Sequence, residues 1–208
     1  MARPVGTKNA DHEAKRLAIA RAIGRTLVAD PAGRPSLRDL AGGAGVGVNT
    51  LLHYFGDRSG AVAAGLAAME ELGRPYVALL VARSDQPPTV VLPSFLHELV
   101  EAWGHGLSAP HTAGLTEGIA DPTIGPAYVT GVLEPTLGAV EALLTAWIAR
   151  GAFPPADVRA AALTLVSPVL LALLHQQDLG GTGCRPLDVH ALVDDHVARF
   201  LRGWGRAD

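Results

Sequence analysis

An all-α fold is predicted for this chain of 208 residues from two features of its sequence. Apolar residues recur with the period of a helix almost throughout, as with Ile19, Ile23 and Leu27 at i, i+4 and i+8. The 24 glycines and 15 prolines are dispersed, so they separate helices rather than form a low-complexity tract. We expect about nine helices and no strand.

Start and stop signals place these helices along the chain. Asp57 is a suitable N-cap for a long helix, Asp121-Pro122 and Pro186 open two others, and kinks are expected at Pro135 and Pro168. The predicted helices are 11–30, 37–42, 48–54, 57–83, 93–103, 111–120, 122–150, 157–178 and 186–203.

The composition predicts a folded protein of the cytoplasm. Hydrophobic residues make up 49% of the chain and charged residues 18%, which supports a sizeable core. The single cysteine, Cys184, cannot form an internal disulfide, and the N-terminal residues lack the apolar segment of a signal peptide. The longest apolar run, Ala160–Leu174, is shorter than the roughly 20 residues that span a bilayer. We expect it to be a buried helix.

Charge is distributed unevenly within a net charge of −3. Residues 1–60 hold nine basic and five acidic residues, a net charge of +4, whereas the remainder carries −7. A basic N-terminal part on an acidic body suits a chain that offers only that part to a polyanion such as nucleic acid. Chance drift by a few charges is the alternative explanation.

The stretch "SLRDLAGGAGVGVNTLLHYF" (36–55) predicts a helix-turn-helix. Ser36 and Asp39 form a capping-box pattern at its start. Ala41 is small enough for two helices to cross there, and Gly45 can adopt a left-handed conformation. Leu51 then returns to the core, together with Leu37, Leu40 and Val46. The alternative is an ordinary glycine-rich loop between surface helices.

The segment "AGVGVNTLLHYFGDRSGAV" (44–62) resembles the signature of the TetR family of bacterial transcriptional regulators. The resemblance covers residues 11–70 and is weaker beyond them. It implies a helix-turn-helix DNA-binding domain at 9–56 and a ligand-binding and dimerisation domain at 57–204. The matching residues are Ala44, Gly45, Val46, Thr50, Leu51, Tyr54 and Phe55, with Arg58 in the position of a common lysine. The sequence departs from the family pattern at Val48, at Leu52 and at Gly47, where a serine or threonine usually caps the second helix of the motif; we therefore expect no side-chain cap at Gly47.

The resemblance also implies that the second helix of the motif enters the major groove. Asn49 and His53 are then candidate base readers, and Val48 could meet a thymine methyl group. Arg38 could reach guanine or a phosphate. We expect the remaining candidates to contact the DNA backbone; they are Ser36, Thr50, Tyr54 and Arg58.

The last two long helices of the acidic C-terminal part are apolar on more than one face, so we expect them to bind a second copy of the chain. The alternative is that both helices are central in the monomer. A cavity among the helices 93–103, 110–120, 122–150 and 157–178 is expected to hold an apolar small molecule. Candidate ligand contacts are His97, Trp103, Tyr128, Trp147, His175 and Gln176. Candidate interface residues are Leu163, Val166, Leu170, Leu173, Val193, Val197, Phe200 and Leu201. The implied function is that of a repressor which binds double-stranded operator DNA as a homodimer and which the effector releases.

An all-α enzyme and a ligand-independent DNA-binding protein are the alternative functions. The sequence contains no G-x-S-x-G, P-loop or C-x-x-C motif. His190 and Asp194 stand at metal-ligand spacing, but such a pair is more often a solvated helix face. His175 has no nucleophile paired with it in the sequence. We expect no catalytic residue, no metal and no cofactor.

Overall fold

The computed structural model describes the backbone of residues 5–204 and the side chains of residues 10–204. Arg3 and the side chain of Lys8, two of the basic residues counted above, lie outside the described part. The described backbone is helical and contains no strand, so the predicted all-α class is confirmed.

Twelve α-helical segments and three π-helical turns lie between residues 5 and 204. The helices are α1 (Val5–Ala29), α2 (Leu37–Gly43), α3 (Val48–Phe55), α4 (Arg58–Ala67), α5 (Met69–Val81), α6 (Pro88–Ala102), α7 (Ser108–Gly118), α8 (Ile124–Tyr128), α9 (Glu134–Ala149), α10 (Val158–Leu173), α11 (Gly181–Cys184) and α12 (Val189–Trp204). The π-helical turns are Trp103–Leu107, Val129–Leu133 and Leu174–Asp178. The first of them contains a kink, because His105 and Gly106 have non-helical backbone angles.

Three differences from the predicted helices account for the larger number. The helix predicted at 57–83 is interrupted at Ala68. The helix predicted at 122–150 is divided by the π-helical turn that ends just before Pro135, where the missing N–H of proline removes a helical hydrogen bond. The short helix α11 lies in a segment that we expected to be a loop. Helix α6 also begins at Pro88 rather than Pro93, because proline is well tolerated at the first helical position.

The described part of the chain folds into two compact units, and the first contains residues 5–73 and 109–133. Its core brings α1–α4 together with α7 and α8 and contains Ile23, Leu40, Leu51 and Leu66. Helices α1 and α4 approach closely at Gly24, where an added Cβ would lie 2.9 Å from the carbonyl oxygen of Gly65. The helix-turn-helix therefore shares its core with α7 and α8. The predicted division into a DNA-binding domain at 9–56 and a ligand-binding and dimerisation domain at 57–204 stays a prediction.

The second unit contains the described residues 74–108 and 134–204, and its core is built mainly from α6, α9, α10 and α12. Two helical stretches, 124–149 and 158–178, are long and apolar enough by composition to cross a membrane. In the second of these, Leu165, Val169 and Leu173 are fully buried in the protein's own core.

Candidate nucleic-acid interface

The first helix of the motif begins at the predicted capping box. The Ser36 hydroxyl accepts a hydrogen bond from the backbone N–H of Asp39 (3.3 Å), and the Asp39 carboxylate accepts one from the backbone N–H of Ser36 (2.9 Å). The Ser36 hydroxyl also donates to this carboxylate (2.6 Å). These hydrogen bonds, above all the one from the Ser36 hydroxyl, hold the pKa of Asp39 below its ordinary value. Ser36 therefore fixes the start of α2, whether or not it also meets a phosphate.

The glycine corner has the predicted conformation. Gly45 has a φ of 64°, in the left-handed region that favours glycine. The backbone N–H of Val46 closes the turn on the carbonyl oxygen of Ala41 (3.0 Å). Gly47 caps α3 without a side-chain hydrogen bond, as expected from the missing serine or threonine. Leu40 and Leu51 are fully buried on the inner side of the turn, so the helix-turn-helix is confirmed as a structural element.

Two of the candidate base readers lie on one face of α3. Asn49 and His53 are both exposed and stand four residues apart, one helical turn. Val48, Thr50 and Tyr54 are partly buried. Arg38 is exposed on α2. The arrangement places an amide and an imidazole side by side on the exposed face of α3. Their roles in DNA binding stay predictions.

Helix α1 supports α3 through contacts that the sequence did not reveal. The ring of His12 lies 4.7 Å from that of Tyr54 and 6.0 Å from that of His53, measured between ring centroids. The guanidinium carbon of Arg16 lies 5.3 Å from the centroid of the Phe55 ring, within the range of a cation–π contact. His12 and Arg16 are four residues apart on α1, but no local pattern shows that they meet α3.

Arg58 is held by an ion pair inside the first unit. Its Nη1 donates to the Glu117 carboxylate at 3.0 Å, its Nη2 donates to the other oxygen of that carboxylate, and its Nε donates to the carbonyl oxygen of Pro35 at 2.9 Å. The hydrogen bonds that Arg58 donates to the Glu117 carboxylate raise the pKa of Arg58 above its ordinary value. This residue was expected at the DNA backbone. In the structure, Glu117 of α7 already binds the guanidinium group of Arg58 that a phosphate would need.

A second contact joins α4 to the segment that follows α7. The Ser59 hydroxyl donates to the Asp121 carboxylate at 2.5 Å. That carboxylate also accepts from the backbone N–H groups of Thr123 (2.8 Å) and Ile124 (3.3 Å), at the start of α8. The pKa of Asp121 is lowered, first by the Ser59 hydroxyl and then by these backbone groups. Asp121 thus fixes the entry to α8, close to the position predicted for it.

Comparisons with known proteins give matches among solved structures. No family model matches the sequence and no curated protein matches it. A TetR-family regulator from Mesorhizobium loti is 15% identical with a TM-score of 0.71, over 92% of this chain and 97% of that one. A TetR transcriptional regulator from Agrobacterium tumefaciens is 20% identical with a TM-score of 0.59, over 91% and 94%. The chain has the fold of the TetR-family regulators.

One further match to this TetR fold was solved with a ligand. It is the transcriptional regulator FadR from Bacillus subtilis in complex with stearoyl-CoA, 14% identical with a TM-score of 0.59, over 89% of this chain and 97% of that one. At these identities the likeness establishes a common fold. The function of the chain must be argued from its own residues.

The two tryptophans proposed as ligand contacts are built into the second unit of this TetR fold. Trp103 and Trp147 are fully buried. Their indole N–H groups donate to the Asp178 carboxylate (2.8 Å) and to the carbonyl oxygen of Gln86 (2.9 Å). Among the described residues, no buried side-chain polar atom lacks a hydrogen-bond partner.

Three other ligand candidates also have partners within the protein. Gln176 is buried, donates to the carbonyl oxygen of Arg185 (3.1 Å) and accepts from the backbone N–H of Leu187 (3.0 Å), so it shapes the loop before α12. His175 is exposed and lies beside it. Tyr128 belongs to the first unit, where a hydrogen bond of 2.9 Å joins its hydroxyl to Nδ1 of His111.

His97, the last ligand candidate, belongs to a small polar cluster on α6 and α12. Its Nε2 lies 2.8 Å from the Asp194 carboxylate, and its Nδ1 lies 2.8 Å from Nδ1 of His190. His190 Nε2 lies 3.2 Å from the Glu101 carboxylate. The described residues contain no group of three or more side chains arranged to hold a metal ion. The contacts of His97 and His190 join α6 to α12 within the second unit.

A groove of about 690 Å³ opens elsewhere in the second unit. None of the six ligand candidates lines it. Its walls come from the start of α6, the end of α9, the loop that follows α9, and α12. The lining residues are Pro87, Pro88, Thr89, Ile148, Gly151, Ala152, Phe153, Pro154, Pro155 and Leu201.

Most of the residues predicted for a dimer interface are covered by their own chain. These residues face the core of the second unit, so they have little surface to offer a partner. They are Val166, Leu173, Val193, Val197 and Phe200. Leu170 and Leu201 are partly buried. Leu163 is exposed, and the exposed Leu171 lies further along the same helix. An interface on α10 would rest on these two leucines.

Proposed function

We propose that this chain is a transcriptional repressor that binds operator DNA as a homodimer and is released by an apolar small molecule. The observation that carries this proposal is the exposed pair Asn49 and His53 on the second helix of a confirmed helix-turn-helix. A short helix of this kind fits the major groove and places its side chains at base edges. The TetR fold supports the same proposal.

The groups around α3 supply the remaining contacts that DNA binding needs. Arg38 is exposed at the start of α2, where a guanidinium can reach guanine or a phosphate. Thr50 and Tyr54 are partly buried beside the exposed face, so their hydroxyl groups suit the DNA backbone. Non-specific affinity would come from the basic residues of 1–60, and specificity from Asn49 and His53.

A homodimer is proposed through the exposed face of α10. Leu163 and Leu171 are 40% and 67% exposed, and no Asp, Glu, Lys or Arg stands between Arg159 and Asp178. A helix face without charge over this length is unusual on a monomeric protein. A two-fold dimer would present two recognition helices to half-sites separated by about 34–36 Å, or by a small multiple of that distance.

The apolar effector is proposed on two grounds. The open groove beside Phe153 has mostly apolar walls. The FadR of similar fold was solved with stearoyl-CoA, a ligand with a long apolar chain. An effector lowers DNA affinity only by the difference between its affinities for the two states of the protein. We therefore expect operator DNA to weaken effector binding by the same factor. The protein would act in the cytoplasm.

Selection of DNA tests the proposal. The full-length protein is incubated with a pool of random duplexes, the bound fraction is amplified, and the affinity for the enriched duplex is measured by fluorescence anisotropy. We expect an enriched inverted repeat and a dissociation constant that rises with salt. Stearoyl-CoA is then titrated into the complex, with coenzyme A as the control without an acyl chain. Absence of enrichment, together with no binding to any duplex at low salt, would refute DNA binding.

A further inference from the structure

Glu117 is the carboxylate at the centre of an ion-pair cluster in the first unit. Its side chain is only 3% exposed, on α7. Two arginines from the edges of the helix-turn-helix reach it: Arg58 through two N–H groups, and Arg34 through Nε at 3.5 Å. Arg34 precedes α2, and Arg58 is the first residue of α4. One buried negative charge therefore engages a cation on each side of the motif.

The Glu117 carboxylate and a DNA phosphate require the same groups of Arg58. A guanidinium binds either anion through two parallel N–H···O hydrogen bonds. In the structure both Nη atoms of Arg58 donate to Glu117, and Nε donates to the carbonyl oxygen of Pro35. A phosphate that bound both Nη atoms of Arg58 would have to displace the Glu117 carboxylate from them.

Burial makes this exchange costly while α7 stays in place. A carboxylate that loses its arginine inside a protein keeps the penalty of desolvation without the attraction that offset it. Arg34 alone, with a side chain that is 59% exposed and an N–O distance of 3.5 Å, is a weak replacement. Arg58 can therefore turn to DNA only if α7 moves enough for water to reach Glu117.

We propose that Glu117 acts as an internal competitor of the DNA backbone for Arg58, so that α7 in its present position keeps the helix-turn-helix in a state of lowered DNA affinity. This inference rests on the proposed DNA binding and adds the device that regulates it. Whatever holds α7 in this position favours the low-affinity state. Whatever draws α7 away exposes Glu117 and frees a cation at the start of α4.

The competition predicts how charge-neutral variants behave. Glu117→Gln removes the negative charge while keeping the shape of the side chain, so Arg58 becomes available to phosphate. We expect this variant to bind a random-sequence duplex up to about tenfold more tightly at low salt, with a plot of log K against log salt steeper by about 0.9. Glu70→Gln is the matched control, because Glu70 is exposed in the same unit and the change in charge is identical.

A double-variant cycle identifies the arginine. Arg58→Ala should weaken binding little in the wild-type background, where Glu117 already occupies the guanidinium, and should abolish the increase caused by Glu117→Gln. An increase that persists without Arg58 would overturn the proposal. So would a folded Glu117→Gln protein that binds DNA no more tightly than Glu70→Gln. Folding is checked by circular dichroism and thermal melting.

A measurement on the wild-type protein covers the case in which Glu117→Gln does not fold. Hydrogen exchange followed by mass spectrometry reports the backbone of α7 (108–118) with and without a saturating duplex. We expect faster exchange in α7 when DNA is bound, and unchanged or slower exchange would overturn the competition. If neither wild type nor any variant binds a duplex, the proposed function itself fails. If DNA binds but its affinity does not change in the Glu117→Gln variant, only the proposed competition is refuted.

Discussion

The ring of Tyr128 lies directly on Gly114, so that a Cβ added to this glycine would overlap the ring. Tyr128 stands at the end of α8 and Gly114 in the middle of α7. The hydroxyl of the same tyrosine is hydrogen-bonded to His111, one turn earlier on α7. The contact therefore sets the distance between the two helices that share a core with the helix-turn-helix.

The first prediction concerns this contact. Gly114→Ala should destabilise the protein by about 1–3 kcal/mol, because the ring or the helix must move to admit the methyl group. Alanine is the better helix former, so a loss of stability would show that packing dominates propensity here. Denaturant unfolding measures the effect. Gly138→Ala is the control, since an added Cβ at Gly138 meets no atom within 4 Å and should stabilise α9.

The second prediction concerns the titration of Tyr128. Burial raises its pKa from 10.0 to about 12. Because the unfolded chain releases this proton first, the contribution of Tyr128 to stability is complete below pH 10 and is lost as the pH rises toward 12. Rapid spectrophotometric titrations of the wild type and of Tyr128→Phe should differ by the ionisation of one phenol, with a midpoint near pH 12. A difference centred near pH 10 would contradict the burial argument.

Local patterns in the sequence predicted much of this fold. The Ser36–Asp39 capping box, the left-handed Gly45, the uncapped Gly47 and the Asp57 cap depend on residues within a few positions of one another, so helix chemistry alone predicts them. The helix-turn-helix and the exposure of Asn49 followed from the same local reasoning.

Contacts between distant segments could not be read from such patterns. Arg58 was expected at DNA, since nothing near it in sequence suggests a partner 59 residues away at Glu117. Likewise, the apolar faces of α10 and α12 were assigned to a dimer interface. A helix that is apolar all round can be central in its own chain, and periodicity alone does not show which face the monomer covers. Val193 and Val197 lie on a face of α12 that the core of their own chain covers.

The third prediction concerns acid stability at the start of α4. The Ser59 hydroxyl is the main cause of the lowered pKa of Asp121. A carboxyl whose pKa is lowered by folding stabilises the protein above its unfolded value of 3.8, and this contribution is lost as the pH falls through the folded value. Ser59→Ala should therefore lower the melting temperature at pH 7 and have a smaller effect at pH 3. Ser84→Ala, on a serine in the turn that follows α5, is the control. An effect independent of pH would show that the hydroxyl does not act through Asp121.

The fourth prediction concerns the recognition of the DNA sequence by Asn49. Asn49→Ala should reduce the preference for the selected operator over a scrambled duplex by about 1–3 kcal/mol, because an asparagine pairs with an adenine edge through two hydrogen bonds. Anisotropy titrations with both duplexes at one salt concentration measure this ratio. Gln177→Ala removes an exposed amide in the second unit and should leave the ratio unchanged. If Asn49→Ala weakened binding to both duplexes equally, the Asn49 side chain would contact the DNA backbone rather than a base.

The last prediction concerns assembly through α10. Leu171→Glu places a charge on a side chain that is 67% exposed in the single chain, so the monomer fold should tolerate it. In a dimer that buries this face, the carboxylate would be desolvated without a partner, which is strongly unfavourable. We expect the wild type to have a mass in solution near twice 21.5 kDa at micromolar concentration, and the variant to be a folded monomer. Light scattering coupled to size-exclusion chromatography measures both. Leu179→Glu is the matched control, because Leu179 is 76% exposed beyond the end of the helix. A wild type of monomer mass, or a variant that still dimerises, would exclude α10 as the interface and leave the two half-sites of the operator without a structural basis.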